Sequence, residues 1–267
     1  MADKPASEPQ TGAEGARLRI LSFNIQAGNA THRYRDYITN SWKHVWPDSG
    51  KQRNLDALVP WLDDYDLVGL QEADGGSLRS GFLNQARYLA ESARFPYWTQ
   101  QRNRRVGPIA HSTNCLLSRY HIGDAEDHPL PGRIPGRGAL LAHIGPKRQG
   151  LAVIIAHLSL GPTSRGQQWD FLAELASDHR HVILMGDFNC LPEDRGFRQF
   201  LERSGLRLAE RNPPATFPAW RPRRAIDHVL VSPAIEVESC EALGLTLSDH
   251  LPLAVTARLP ANCLTHA

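Results

Sequence analysis

The sequence predicts a single α/β domain, and three observations carry that reading. Strand-length apolar runs alternate with helical patterns from Arg17 to Leu259, with no internal repeat and no linker between them. The 267 residues suffice for one sizeable core. Run after run also ends in the same way, in a polar side chain set at or just beyond the last apolar position. The clearest is His181-Val182-Ile183-Leu184-Met185-Gly186-Asp187-Phe188-Asn189-Cys190. Its apolar part is too short for a helix, so it reads as a buried strand opening into a polar loop. Gly186 permits close approach of backbone or ligand. Asp187 can accept a proton from water, and the Asn189 amide two positions on can point the same way and donate to an anionic oxygen. An Asp-x-Asn after a strand is commonly a turn that caps its own backbone, so the other strand ends must decide.

Composition narrows the class. The net charge of +2 announces no basic field for nucleic acid and excludes none, because a local patch can hide in a near-neutral total. No run approaches a membrane span, and the polar start Met1-Ala2-Asp3-Lys4-Pro5 lacks the apolar core of a signal peptide, so a cytoplasmic protein with no stable membrane insertion is expected. Cys115, Cys190, Cys240 and Cys263 have no paired spacing, which suits reduced, packed thiols better than disulfides or zinc.

In order, residues 1–16 form a polar lead-in expected to be disordered, 17–260 the folded domain, and 261–267 a short tail. Leu18, Ile20, Leu21 and Phe23 make a first strand ending at Asn24. The segment from Asn29 to Gly50 mixes Tyr34, Tyr37, Trp42 and Trp46 with Arg33, Arg35, Lys43 and His44, as either a substrate lip or a partly packed loop. Helical spacing covers Arg53 to Leu62, and the strand Leu67 to Leu70 hands over Gln71 and Glu72. A second helix spans Ser80 to Phe95. Short strands follow within Tyr97 to Ser118 around Arg102, Arg104 and Arg105, and a loop carrying Pro129, Pro131 and Pro135 leads to a strand at Arg137 to Ile144. The turn cluster Gly145 to Gly150 folds that strand into a hairpin with Leu151 to Ala156, which is apolar throughout, hence buried on both faces, and ends at His157. Helices at Arg165 to Ala176 and Phe197 to Arg203 flank the central strand. Asn212 to Pro218 must run extended, and strands follow at Ile226 to Val231 and Leu253 to Leu259, the latter preceded by Ser248-Asp249-His250.

Asn24, Glu72, His157, Asp187, Asn189, Asp227, Asp249 and His250 thus all lie at or beside strand ends, where rigid elements make side chains converge. Carboxylates and amide oxygens without a cysteine cluster suit a hard ion such as Mg2+ or Mn2+. With histidines beside them to stabilise or protonate an oxyanion, they suit hydrolysis of a phosphate ester.

The ordered series Ser22-Phe23-Asn24, Leu70-Gln71-Glu72, Ala156-His157-Leu158, Gly186-Asp187-Phe188-Asn189, Ile226-Asp227-His228 and Ser248-Asp249-His250 resembles the endonuclease/exonuclease/phosphatase superfamily over Leu18 to Leu259. The resemblance implies a four-layered α/β sandwich, two mixed β-sheets packed face to face with helices outside, and a site at one edge of the sheets. It implies that Glu72 binds Mg2+ (or Mn2+), with Asn24 beside it and Asp249 completing the shell or holding a second ion. Asp187 would position or deprotonate the attacking water, and Asn189 would hold it with a phosphate oxygen. His250, oriented by Asp227, would contact the phosphoryl oxygen that gains charge, and His157 would stabilise the transition state from the other side. Which histidine protonates the leaving oxygen stays open. Gln26 and His157 stand where abasic-site endonucleases typically carry an acid and a tyrosine, which argues against that branch.

Trp220, Arg221 and Arg224, just before Asp227, are candidates for gripping substrate phosphate, against the alternative of a solvated loop. His228 is expected on the opposite face of its strand from Asp227, and His179-Arg180-His181 is expected at the surface. The resulting expectation is a Mg2+-dependent phosphodiesterase, its partner a nucleic acid or a small or lipid head group, with no obligate protein partner. A nuclease proper and a non-catalytic phosphate-binding module are the alternatives.

Overall fold

The computed structural model describes residues 15–26, 49–77, 80, 82–106, 110–133, 136–146, 149–261 and 263–264. The aromatic and basic segment between Asn29 and the start of the first helix lies outside the described residues, as do the side chains of Arg102, Arg104 and Arg105. Two six-stranded mixed sheets dominate. In chain order the strands are β1 (Arg17–Asn24), β2 (Leu67–Asp74), β3 (Tyr97–Val106), β4 (Ala110–Ser118), β5 (Ile122–Pro129), β6 (Gly138–Ile144), β7 (Leu151–His157), β8 (His181–Asp187), β9 (Arg207–Leu208), β10 (Asp227–Val231), β11 (Glu236–Ala242) and β12 (Leu253–Arg258). The helices are α1 (Ser49–Leu62), α2 (Gln85–Ser92), α3 (Pro162–Ser177) and α4 (Arg195–Ser204).

One sheet runs β11-β12-β1-β2-β4-β3 and the other β5-β6-β7-β8-β10-β9. Each has one parallel pair near its middle, β1 with β2 and β7 with β8, and every other pairing is antiparallel. Period two explains the layers. Leu18 and Ile20 of β1 face Val153, Ile155, Ile183 and Met185 across the gap between the sheets. Leu21 and Phe23 turn outward onto Leu55, Leu58 and Leu62 of α1 and Leu89 of α2. Ala152, Ile154, Val182 and Leu184 meet Trp169 and Leu172 of α3 and Phe197 and Phe200 of α4 on the other outer face. Side chains buried on both faces of β7 and β8 account for their unbroken apolar runs. The result is the four-layered sandwich that the sequence series implied. Each fully buried Leu or Ile stabilises it by about 1.5–3 kcal/mol before conformational entropy is set against it. Gly69 lets the sheets close, because a Cβ there would lie 2.6 Å from Ile155 Cδ1 and 2.8 Å from Met185 Sδ. Among the described residues no helix is long and apolar enough to cross a membrane.

Several sequence expectations need correction. Residues 122–129, read as part of a loop, form edge strand β5. Its side chains are largely exposed and three of them are acidic, so it carries little apolar signal and is held chiefly by pairing to β6. The second helix is shorter than its periodic pattern, because Asn84 caps it by accepting from the Arg87 N–H and Ala93 closes it. His181 is buried at the start of β8 instead of lying at the surface. Cys263, assigned to the tail, is buried in the core between the sheets.

Candidate active site

The strand pairing explains why distant residues meet. In the second sheet His157, Asp187 and Asp227 occupy one cross-strand row, since β7 and β8 pair His157 with Asp187 and β8 and β10 pair Asp187 with Asp227. In the first sheet Asn24 pairs with Gln71 at the end of the parallel β1–β2 pair. Both parallel pairs deliver their C-terminal ends to the same edge of the sandwich. Thereafter the backbone is bent to aim side chains. The β2–β4 register shifts between Leu70 and Ala73, and within that irregularity Glu72 takes φ 57°. Gln26 and Asn189 also stand in the left-handed region, at φ 44° and 51°. Three non-glycine residues so placed at one edge mark a site where strain is tolerated for positioning. Gly186 has φ 146°, and a Cβ there would lie 1.9 Å from the Ala156 carbonyl oxygen. Glycine is required where β7 and β8 approach just before Asp187.

Asn24, Gln26, Glu72, Arg137, His157, Leu160, Asp187, Asn189, Phe217, Arg224, Ile226, Asp249 and His250 line a cleft of about 490 Å³. A larger groove of about 640 Å³ between α3 and α4 gathers no comparable set of acids and imidazoles. Asp187 sits at the centre of the cleft. Its Oδ2 is 3.3 Å from His157 Nε2, 3.8 Å from His250 Nε2 and accepts from Asn24 Nδ2 at 3.2 Å, while its Oδ1 accepts the Asn189 N–H at 3.0 Å. Burial alone would raise the Asp187 carboxyl. The opposing charge of His250, then the hydrogen bond and charge of His157, hold it instead below the usual carboxylate range. It is therefore a fixed anion at neutral pH.

His250 donates from Nδ1 to Asp227 Oδ2 at 2.8 Å, and the Thr216 hydroxyl donates to the same oxygen. Burial would depress this imidazole, but Asp227 and Asp187 outweigh it and lift its pKa to about 10. The Phe217 ring covers it, centroid to centroid 5.0 Å. Asp187, Asp227 and His250 offer ligand atoms within 4.8 Å of one another. A protonated imidazole bonded to one of those carboxylates and facing the other already offsets half of their charge, so we read the trio as an ion-paired network.

The carboxylates on the other side of the cleft lack such compensation. Asp249 is pushed up to about 6, chiefly by burial, which His250 offsets in part and the charges of Glu72 and Asp187 reinforce. Glu72 approaches His157 Nε2 at 3.8 Å. A pair of carboxylates short of positive charge, Asp249 buried and Glu72 open to the cleft, with no thiolate beside them, fits a hard divalent cation.

Asn24, Glu72, His157, Asp187, Asn189, Asp249 and His250 come together in the cleft, with Asp227 directly behind His250. Of the three phosphate-gripping candidates only Arg224 lines the cleft; Arg221 is exposed and neither it nor Trp220 belongs to the lining. His228 points the other way, stacked on Phe197 at 4.9 Å with Nε2 bonded to the Cys190 carbonyl. Gln26, Arg137, Leu160 and Phe217 were not among the sequence candidates. Arg137 hydrogen-bonds to His157 Nε2, which follows from hairpin register: Gly138 pairs with His157. The hairpin was legible, but its pairing to the residue was not.

With this geometry in place, the comparisons with known proteins are specific. A model of the endonuclease/exonuclease/phosphatase family matches residues 21–250. The chain belongs to that family, whose members are typically phosphoester hydrolases and generally depend on a divalent metal. Among solved structures, an endonuclease/exonuclease/phosphatase from Beutenbergia cavernae is similar at TM-score 0.72 and 20% identity, over 91% of this chain and 72% of that one. A mannosyl-6-phosphatase from Bacteroides thetaiotaomicron is similar at TM-score 0.68 and 18% identity, over 90% and 99%. TDP2 from D. rerio, complexed with a single strand DNA product, is similar at TM-score 0.66 and 16% identity, over 91% and 99%. No curated protein sequence matches the chain.

Proposed function

We propose that this chain is a cytoplasmic, Mg2+-dependent phosphodiesterase that hydrolyses its substrate by in-line attack of water on phosphorus. The observation that carries the reading is Asp187, a buried anion flanked by two imidazoles in the same cleft as Glu72 and Asp249. Glu72, with Asn24 and Asp249, would hold the cation, whose contribution is to neutralise charge on the phosphoryl oxygens. Asp187 Oδ2 orients a water and draws its proton, and the Asn189 N–H keeps the other carboxylate oxygen fixed. His250, a cation held by Asp227, faces the oxygen that gains charge and carries a proton for it. His157 stands on the opposite side of Asp187, with Arg137 bonded to its Nε2. Arg224 and Arg137 supply positive charge in the lining for the substrate phosphate.

The test pairs bis(p-nitrophenyl) phosphate with p-nitrophenyl phosphate in the presence of Mg2+, followed by supercoiled plasmid, single-stranded oligonucleotides and phospholipid head groups. Asp187→Ala should lower turnover by about 10³-fold or more with an unchanged circular dichroism spectrum, and EDTA should abolish it. Undiminished hydrolysis in either case overturns the mechanism. Phosphate binding without turnover would favour the non-catalytic module.

A further inference from the structure

The gap between the sheets is filled mostly by aliphatic side chains, yet it also holds the fully buried amide of Asn114. Asn114 shares the inward face of β4 with Leu116, as period two requires. Its Nδ2 crosses to the second sheet, donating to the Gly138 carbonyl of β6 at 2.8 Å and to the Ile155 carbonyl of β7 at 3.3 Å. Gln101, which pairs with Asn114 across β3 and β4, accepts from the same nitrogen at 3.3 Å and donates from Nε2 to the His128 carbonyl of β5 at 3.1 Å. Backbone carbonyls only accept, so the nitrogen must face them, and Asn114 Oδ1 is left without a donor among the described residues. A buried acceptor left unmet costs stability, so packing alone does not account for an amide here. What it joins are the two halves of the site. Gly138 adjoins Arg137 and pairs with His157, and Ile155 lies on the same face of β7 as His157. On the other side of β4, the Thr113 hydroxyl donates to the Ala73 carbonyl at 2.9 Å, just after Glu72, where β2 slips against β4. Thr113 and Asn114 therefore grip the backbone beside Glu72 in one sheet and the backbone beside Arg137 and His157 in the other.

We propose, resting on the hydrolase reading above, that Asn114 is a positioning residue: it ties the two sheets together so that Glu72 and His157 keep their 3.8 Å separation across the cleft. Apolar packing is non-directional and lets two faces slide, whereas a hydrogen bond fails once its length or angle drifts. Catalytic groups tolerate little sliding, since a misplacement of about 1 Å can cost about 10²-fold in rate. Asn114 lies outside the cleft lining and acts only through the strands that carry Glu72, Arg137 and His157.

Leucine at position 114 keeps the branched shape and removes the donor, and alanine removes the donor without overpacking. The control is Leu116→Ala, which opens a cavity on the same face of the same strand and leaves the amide in place. Hydrolysis of bis(p-nitrophenyl) phosphate with Mg2+ is measured on each full-length chain, with urea unfolding to establish that it is folded. Asn114→Leu and Asn114→Ala should each lower kcat by about tenfold or more, with KM changed by less than about threefold. Leu116→Ala should lower the urea midpoint yet keep kcat within about threefold of wild type. In crystal structures the Glu72 Oε1 to His157 Nε2 separation should be wider, or spread over several conformers, in Asn114→Leu and not in wild type. Wild-type kcat in a folded Asn114 variant, an equal kcat loss in Leu116→Ala, or an unmoved separation in Asn114→Leu overturns the proposal and leaves the hydrolase reading standing. If wild type hydrolyses no phosphoester with Mg2+ or Mn2+, the functional reading falls and this one with it.

Discussion

Asp227→Asn isolates the one buried carboxylate that acts on the site through another residue. The substitution keeps shape, and the side-chain oxygen can still accept from the Thr216 hydroxyl, but it removes the charge facing His250 Nδ1. The rise of His250 from 6.5 to about 10 corresponds to about 5 kcal/mol of preference for the cation, to which Asp227 contributes most and Asp187 next. Without Asp227, burial regains weight and the imidazole falls back towards neutrality. At pH 8 the wild type holds His250 protonated, whereas the variant holds it largely neutral. A kcat loss of about 10²- to 10³-fold is expected at that pH, with KM little changed, recovering as pH falls. The pH–rate profile and the histidine NMR titration are read on the same samples. A second consequence has a fixed sign. Because the folded pKa is the higher one, the pairing stabilises the fold fully below pH 6.5, and that contribution is lost as pH rises through about 10. The difference in urea stability between wild type and variant should shrink over that window. A variant with wild-type kcat at pH 8 and an unmoved alkaline limb refutes the account of His250.

Three further outcomes follow from the same contacts. The Asp249 carboxyl, raised from 3.8 to about 6 in the fold, destabilises the cation-free protein above about pH 6 and not below 3.8. Added Mg2+ should therefore raise Tm more at pH 8 than at pH 5 in differential scanning fluorimetry; an equal rise at both would contradict the charge deficit. Burial lowers His228, and then its bond to the Cys190 carbonyl and nearby acids offset that only in part, so stability falls as pH drops below 6.5 and this imidazole must charge. His228→Phe should flatten part of that acid limb while costing about 1–3 kcal/mol at pH 7 for the carbonyl left unpaired, measured by urea denaturation at both pH values. Gly186→Ala should destabilise by about 3 kcal/mol or more, because its Cβ would collide with the Ala156 carbonyl at a φ that disfavours alanine. A loss under 1 kcal/mol would show that β7 and β8 separate easily there.

Covalent order and hydrophobic period were enough to determine the alternation of strands and helices, the unbroken burial of β7 and β8, and the polar residue set at each strand end. These are local properties, because side-chain period and turn chemistry act over a few residues. From them Asp187, His157 and Glu72 could be named, and the ordered series then implied the sandwich. What local signals left undetermined were features with long-range causes. Strand β5 is held chiefly by its pairing to β6 and little by its own side chains. The positive φ of Glu72 arises where β2 slips against β4. Arg137 meets His157 through hairpin register, and Gln26 meets Asp249 across 223 positions. Trp220 and Arg221 lie close to Asp227 in sequence, yet of the three phosphate-gripping candidates the cleft takes only Arg224. Proximity along the chain names the side chains available, but sheet pairing and backbone bends decide which of them share a cavity. Only when the two sheets close on Gly69, with Gly186 letting β7 and β8 pair closely, do two parallel strand pairs present their ends to one another, and the charges that define the site first feel each other there.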